Sequence, residues 1–341
     1  MRQALLPYAA EMAARVSEFQ LDAPRRQALR QLLAHWRKGR LLTAWAGLPE
    51  QPLERVQELF WEYERLWLDD QNLGQQLDEL SRQMAEYGPD LQTLPELLFR
   101  QRFQGNRDDY YSPCNNSLAQ LLHSGRGNPI TLSVLLILVG RRLGLNYQGI
   151  AFPGHFLVRA SDTLLDCFNA GRRLGPELTP ELRGRFSQAE IDALLAWPAG
   201  ESDMVMRILR NFVVAYQRSE QRELFNLYTL LLKDFAARRS GLGVGLPLRE
   251  PLYAPGHVVQ HRRKEYRGVV VDYQLYQDQD GPAHEPAYRI LVHGSPQVAT
   301  AREEALAPDS GGLVAHPFVS VFFTRFEDGA YWRNNHPWEE S

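Results

Sequence analysis

The sequence predicts an α+β fold in which a mainly helical N-terminal part is followed by a small, barrel-like all-β domain. Through the first hundred residues, apolar side chains recur at helical spacing, most clearly in Leu53–Leu68. Beyond residue 256 the apolar pattern changes to a period of two, which is typical of strands. The segments with this period are His257–Arg262, Tyr266–Tyr276 and Ala287–His293.

Length and composition allow two or three globular domains. The chain has 341 residues and a formal net charge of −3, so the molecule as a whole has no electrostatic attraction to nucleic acid or to an anionic membrane. Its two cysteines are too few for a disulfide framework. Met1–Val16 lacks the apolar core of a signal peptide, and the longest apolar run, Ile130–Val139, is about half as long as a membrane span. We therefore expect a cytoplasmic protein with no membrane partner.

Changes in composition divide the chain into five segments. Residues 238–250 contain three glycines, one proline and few apolar residues, which indicates a linker. The other segments are a helical N-terminal region (1–90), a core of helices and strands (91–200), a helical pair (201–237) and a β domain (251–341). In the core we expect strands at Tyr147–Phe152, His155–Ala160 and Thr163–Phe168, and in the helical pair we expect Asp203–Gln217 and Arg222–Ala237.

The clearest helix of the core begins at Asn128. Asn128 has the side chain of an N-cap, and Pro129 suits the first helical position. His155 begins a following strand and Asp166 lies on the next, so an antiparallel pair would bring them side by side. A thiol at the start of a buried helix, followed by a histidine base and an orienting acid, is the arrangement of cysteine nucleophile enzymes.

The nucleophile is missing from this arrangement. Pro129 stands where the thiol is expected, and Thr131 and Ser133 are the nearest hydroxyls. Strand alternation turns Cys167 away from the predicted acid. Nothing in the sequence brings Cys114 to the predicted base.

Two interpretations of the pair remain open. We favour a hydrogen-bonded structural pair of His155 and Asp166, because structural ion-pair networks often resemble active sites. The alternative is an enzyme of the cysteine-hydrolase or transglutaminase class, in which Cys114 or a hydroxyl acts with this pair at the helix start marked by Asn128.

Four sequence blocks resemble the signature of the Sir-B-type transglutaminase-like family. They occur in the family's order, and with their helical flanks they cover roughly residues 40–235. The blocks are Gly105–Tyr111, Arg126–Leu132, Phe152–Arg159 and Leu165–Asp166.

This resemblance implies a papain-like or transglutaminase-like core followed by a tetratricopeptide-like helical segment. In that fold the nucleophile would fall near Pro129, the base at His155 and the orienting acid at Asp166. Members of the family usually have proline at the nucleophile position too, so the resemblance implies a pseudoenzyme or a binding role. Thr131 stands where serine is common in the family.

Segments of the β domain resemble the YccV-like domain of heat-shock protein Q. That domain is described as binding hemimethylated DNA and is linked to protein quality control. The resembling segments are Pro255–His261, Tyr266–Asp272 and Tyr288–Val292. Two later segments, His316–Phe318 and Phe322–Phe326, resemble the version in a eukaryotic F-box protein that carries both modules in this order.

The charge of the β domain restricts how it could bind DNA. From residue 251 onward, eight Lys and Arg stand against twelve Asp and Glu, a net charge of 8 − 12 = −4. DNA-binding domains are usually basic. The local exception is a turn whose candidate phosphate contacts are Arg262, Arg263, Lys264 and Arg267. The histidines of this domain lack the spacing of zinc ligands, so we expect no metal and no cofactor.

Together these observations predict a non-catalytic, two-module regulatory protein. Its C-terminal domain is predicted to bind hemimethylated DNA or a protein partner, for which Trp332 and Trp338 would offer an aromatic face. Nothing in the sequence specifies an oligomeric state.

Overall fold

The computed structural model describes residues 23–64, 72–100, 102–152, 155–174, 187–240, 251–277 and 284–334. By its contacts the chain divides into two units, Met1–Asn211 and Phe212–Ser341. The first is built mainly of helices and the second mainly of strands, so the predicted α+β class is confirmed. The limits of the five predicted segments stay a prediction, and residues 241–250 of the predicted linker lie outside the described residues.

Helices form most of the first unit. They are α1 (Ala23–Trp45), α2 (Leu53–Glu64), α3 (Leu73–Ala85), α4 (Thr93–Phe99), α5 (Leu118–Ser124), α6 (Pro129–Arg142), α7 (Gln188–Ala196) and α8 (Glu201–Arg218), the last of which continues into the second unit. The apolar side chains that predict α2 belong to the core, since Val56, Leu59 and Phe60 are buried. The predicted continuation of α2 to Leu68 lies outside the described residues.

Helix α6 is the centre of the first unit. Every residue from Pro129 to Gly140 is buried, because so long an apolar run leaves no polar face and must be covered on all sides. The covering elements are α3, α4, α5 and strand β4 (His155–Ala160). The helix ends where Arg141 and Arg142 reach the surface and pair with Glu201 and Glu54.

A four-stranded antiparallel sheet packs against α6. In sheet order its strands are β3 (Gln148–Phe152), β4, β5 (Thr163–Asp166) and β6 (Arg172–Leu174). The third predicted strand ends at Asp166 rather than Phe168, because Cys167–Asn169 turns into a 3-10 helix. Upstream, two short strands pair in parallel, β1 (Gln104–Gly105) and β2 (Arg126–Gly127).

The second unit contains an antiparallel sheet of five strands. In sheet order they are β10 (Val298–Arg302), β9 (His284–Val292), β8 (Arg267–Gln277), β7 (Val258–His261) and β11 (Leu306–Pro308). The predicted barrel is wrong, since the edge strands β10 and β11 do not pair with each other within the described residues. A period of two indicates strands, but closure depends on strand number and stagger, which the period does not report.

A hairpin follows the sheet. It consists of β12 (Phe323–Glu327) and β13 (Ala330–Arg333), preceded by the short helix α10 (Val319–Phe322). The amide of Tyr331 donates to the carbonyl of Gly256 at 2.8 Å. Gly256 has φ +98°, and a Cβ there would lie 2.1 Å from the carbonyl oxygen of Tyr331, so glycine is required at this junction.

Helix α9 (Arg222–Arg239) packs on β8. Lys233 Nζ donates to Asp272 and to the main chain of Tyr273, and it lies 4.4 Å from the centre of the Tyr273 ring. The helix therefore belongs to the same structural unit as the sheet. Within the described part of the chain, no helix combines the length and apolar character needed to cross a membrane.

Candidate functional site

The start of α6 forms the floor of the first candidate site. Asn128 is its N-cap, and Oδ1 of Asn128 accepts from both the amide and the hydroxyl of Thr131 at 3.0 Å. Pro129 follows as the first helical residue because its missing amide proton costs nothing there. The helix therefore begins where the sequence predicts.

Strands β4 and β5 bring His155 and Asp166 together. Val158 pairs with Leu165 in the register, which makes His155 and Asp166 diagonal neighbours on one face. Nε2 of His155 lies 3.2 Å from Oδ1 of Asp166. Because Nε2 donates to the carboxylate, Nδ1 is the ring nitrogen left to accept a proton.

Asp166 is a buried carboxylate that remains ionised. Its side chain is 3% exposed, and it accepts from the amide and side chain of Asn169 at 3.2 and 2.6 Å. Burial by itself would raise the pKa of Asp166, but the hydrogen bonds from His155 and Asn169 outweigh burial and hold the pKa below its usual value. Arg172 adds a cation at 3.7 Å. Because Asp166 is itself held by Asn169 and Arg172, its hydrogen bond with Nε2 fixes the orientation of the His155 ring.

Thr131, Ser133 and Cys167 lack the environment of an activated nucleophile. Thr131 and Ser133 are buried, and the hydroxyl of Ser133 donates to the carbonyl of Pro129 at 2.7 Å. Burial raises the pKa of Cys167 to about 12, so this thiol is protonated at neutral pH.

Cys114 occupies a different environment. It is exposed in the 3-10 turn Pro113–Asn116, and the next residue, Asn115, accepts a hydrogen bond from the amide of Asn128 at 3.2 Å. The turn thus lies against the start of α6. Among the described residues, Cys114 forms no hydrogen bond with His155.

A buried asparagine network supports the site, and sequence reasoning missed it. Asn106 donates to Asn115 at 2.9 Å, Asn115 donates to the carbonyl of Asp109 at 2.7 Å, and Asn128 donates to Asn116. The signal was present in the sequence, since these asparagines lie in two short segments upstream of a predicted N-cap. Only the fold shows that the segments meet.

Arg207 on α8 binds the main chain at the end of β3 and at the start of β4. Its guanidinium donates to the carbonyls of Phe152 at 3.1 Å and His155 at 3.4 Å. It was not a candidate in the sequence, because one arginine on an amphipathic helix carries no distinguishing pattern.

The basic turn of the second unit lies between β7 and β8. Arg262, Arg263 and Lys264 are exposed. Nδ1 of the buried His261 accepts from the amides of Arg263 and Lys264, both at 3.1 Å. The side chain of Arg262 also donates to the carbonyl of Leu306 at 2.8 Å.

Arg267, the fourth candidate phosphate contact, is engaged within the protein. Its Nε lies 3.0 Å from a carboxylate oxygen of Asp309, and it donates to the carbonyls of Gly312 at 2.7 Å and Leu313 at 3.1 Å. It therefore shapes the 309–313 loop. Within the described ranges, no three His, Cys, Asp or Glu side chains are grouped so as to hold a metal ion.

Comparison with protein families identifies two domains, and each of them contains one of the two candidate sites. Residues 53–210 match the transglutaminase-like superfamily, and residues 251–330 match the family of hemimethylated DNA-binding proteins like YccV. The chain contains a transglutaminase-like domain and a YccV-like domain. The transglutaminase-like domain holds His155, Asp166 and the start of α6, and the YccV-like domain holds the basic turn.

Several curated proteins share parts of these domains. A UPF0162 protein of Xylella fastidiosa is 40% identical over 128 residues, which are 35% of this chain and 46% of the relative. A UPF0162 protein of Pseudomonas aeruginosa is 32% identical over 148 residues, 40% of this chain and 54% of the relative. F-box only protein 21 of Mus musculus is 40% identical over 72 residues, 20% of this chain and 12% of the relative.

The chain therefore spans about half the length of the UPF0162 proteins it matches and a smaller share of the F-box protein. No solved structure matches the chain significantly.

Proposed function

We propose that the protein is a two-module binding protein: its transglutaminase-like domain carries out no acyl transfer, and its YccV-like domain binds hemimethylated DNA. The observation that supports the first half most directly is Pro129 at the first position of α6, where a cysteine nucleophile would be expected. The second half is supported by the match to the YccV-like family and by the exposed basic turn.

Acyl transfer needs a nucleophile that can give its proton to a base. Thr131 and Ser133 are buried and hydrogen-bonded to neighbouring groups of α6, and Cys167 is buried and protonated. His155 and Asp166 thus keep the geometry of a base and its orienting acid without an activated partner among these groups. We propose the cytoplasm as the location, because both cysteines are free thiols.

The basic turn limits the strength of the proposed DNA contact. Because Arg267 forms an ion pair with Asp309, the cations of the turn that remain to contact phosphates are Arg262, Arg263 and Lys264. Each neutralised phosphate contributes about −0.9 to the slope of log affinity against log salt concentration. We therefore expect a slope of about −3, which is modest for a DNA-binding protein and agrees with the acidic balance of the domain.

Fluorescence anisotropy of the full chain tests the DNA half. Hemimethylated, fully methylated and unmethylated duplexes of one sequence would be titrated at two salt concentrations, and we expect the hemimethylated duplex to bind most tightly. Substituting Arg263→Gln and Lys264→Gln together should weaken binding and reduce the salt slope by about 2. Arg289→Gln, an exposed change on β9 outside the turn, is the control. Negligible binding to all three duplexes would contradict the DNA half and leave a protein as the proposed partner.

A second candidate function rests on Cys114, the exposed thiol beside the start of α6. In this alternative the protein is a hydrolase or transferase in which the turn carrying Cys114 moves to His155. The rate of Cys114 alkylation by iodoacetamide decides between the two. A rate that falls at least tenfold in His155→Ala supports the enzyme, whereas an unchanged rate supports the non-catalytic proposal. The buried Cys167 serves as the internal control.

A further inference from the structure

Arg107 lies beside the His155–Asp166 pair without a carboxylate partner among the described residues. It donates to Oδ1 of Asn169, whose own amide group donates to Asp166. The guanidinium also lies 5.6 Å from the centre of the Phe168 ring. These contacts hold Arg107 next to the pair while leaving most of its five donors for another group.

Arg207 presents a second cation of the same kind. It is half-buried, and its described hydrogen bonds go to the carbonyls of Phe152 and His155 and not to a carboxylate. Burial lowers the pKa of Arg207, although a guanidinium stays charged in a protein. A partly buried charge with only dipolar partners is costly unless an anion compensates for it.

Phe168 connects Arg107 to Tyr110. The ring of Tyr110 meets that of Phe168 edge to face at 5.7 Å, and Phe168 lies under the guanidinium of Arg107. Arg207 joins the same group of residues through its hydrogen bond to the main-chain carbonyl of His155. We call this group the arginine cluster, and its members are His155, Asp166, Asn169, Arg107, Phe168, Tyr110 and Arg207.

The arginine cluster carries an excess of positive charge. Its one carboxylate, Asp166, is already bound by His155 and Asn169, whereas Arg107 and Arg207 are both permanent cations. The neighbouring Asp108 and Asp109 are exposed and form no ion pair with either arginine among the described residues. The electrostatics therefore favour an anionic ligand.

We propose that the arginine cluster binds an oxyanion, a carboxylate or a phosphate, with Arg107 as its exposed contact and Arg207 as its half-buried one. The inference rests on the proposed binding role of the transglutaminase-like domain and names the ligand chemistry of that site. Guanidinium groups match such anions with paired hydrogen bonds. The ring of Phe168 supports the guanidinium of Arg107 from one side.

Thermal unfolding of the full chain in the presence of anions tests the proposal. The probes are inorganic phosphate and N-acetylglutamate, each compared with chloride at the same ionic strength. We expect at least one probe to raise Tm of the native protein, because a ligand that binds only the folded state stabilises it. Response to phosphate alone identifies a phosphate site, and response to N-acetylglutamate identifies a site for acidic side chains.

Arg107→Gln should abolish the response or weaken the apparent affinity at least tenfold. Arg107 is exposed, so folding should be retained, and Arg107→Lys should keep part of the response because the charge remains. The matched control is Arg82→Gln, a change of another exposed arginine on α3, which should respond like the native protein. Equal shifts in all variants would show a general salt effect on folding and would overturn the proposal, as would no shift in any.

The DNA titration separates this inference from the proposed function. Arg107→Gln lies outside the basic turn and should leave DNA binding unchanged. If the anion response is absent while DNA binding persists, only the present inference is wrong. If DNA binding is absent while the anion response persists, the DNA half of the proposed function is wrong.

Discussion

Asp166 illustrates how neighbouring residues can keep a buried acid charged. The carboxylate is almost fully excluded from water, which raises its pKa, yet His155 and Asn169 hold the pKa below the usual value. Hydrogen bonds to the charged form have outweighed desolvation. A group of this kind contributes to stability whether or not the site performs any chemistry.

The residue-scale prediction concerns Asp166→Asn. We expect a loss of about 2 kcal/mol in the free energy of unfolding at pH 7, because hydrogen bonds to a charged acceptor are replaced by weaker ones. Since the folded-state pKa lies below the unfolded value, the charged carboxylate stabilises the protein above the unfolded pKa. That contribution is lost as pH falls through the folded pKa. Urea unfolding at pH 7 and near pH 3 measures both effects.

Asp162→Asn, an exposed change at the β4–β5 turn, is the control and should have little effect at either pH. If Asp166→Asn lowers the free energy of unfolding as much at pH 3 as at pH 7, then packing, and not charge, stabilises the pair.

At the same scale, the sequence indicates His155 and Asp166 but not the residues that support them. The pair could be inferred because strand alternation and a two-residue turn relate its members locally. Asn106, Asn115 and Arg207 come from segments whose meeting is a property of the tertiary fold. A buried asparagine has the same sequence appearance as one in a surface turn.

At the scale of elements, the helix start at Asn128 and strand β4 lie where the sequence places them, because a cap, a proline and an apolar run are strong local signals. Strands β10 to β13 were not predicted, since they are short and lie in a segment without a sustained period of two. The packing of α9 on β8 was also missed. A helix pattern gives the apolar face but not its partner.

The element-scale prediction concerns the contact between α9 and β8. Lys233→Met should lower the free energy of unfolding by about 1–2 kcal/mol, because it removes the cation that is hydrogen-bonded to the half-buried Asp272. The double change with Asp272→Asn should cost less than the sum of the single changes, with a coupling of about 1 kcal/mol. Chemical unfolding of the four proteins completes the cycle. Lys264→Met, in the exposed turn, should be near neutral, and strict additivity would contradict the proposed coupling.

At the scale of the molecule, the contacts group the end of α8, the turn after it and α9 with the strands of the second unit. Beyond Lys233, Glu220 pairs with Arg325 at 2.8 Å, Gln217 donates to the carbonyl of Asn334 at 2.7 Å, and Arg333 lies over the ring of Phe225. The YccV-like family match begins only at residue 251. The segment defined by sequence similarity is therefore smaller than the unit defined by packing.

The whole-molecule prediction follows from this difference. A fragment of residues 251–341 should unfold about 10 °C below a fragment of residues 201–341, since a loss of 1 kcal/mol shifts Tm of such a small domain by about 4–8 °C. Differential scanning calorimetry of both fragments measures the shift. Equal values of Tm would mean that the helices do not contribute to the thermal stability of the sheet.

The histidine beneath the basic turn determines how that turn presents its cations. Nδ1 of the buried His261 accepts from the amides of Arg263 and Lys264, both at 3.1 Å. One ring nitrogen therefore holds two successive residues of the main chain that carries the exposed cations. A substitution inside the domain at His261 would change the spacing of these charges at the surface without removing any of them.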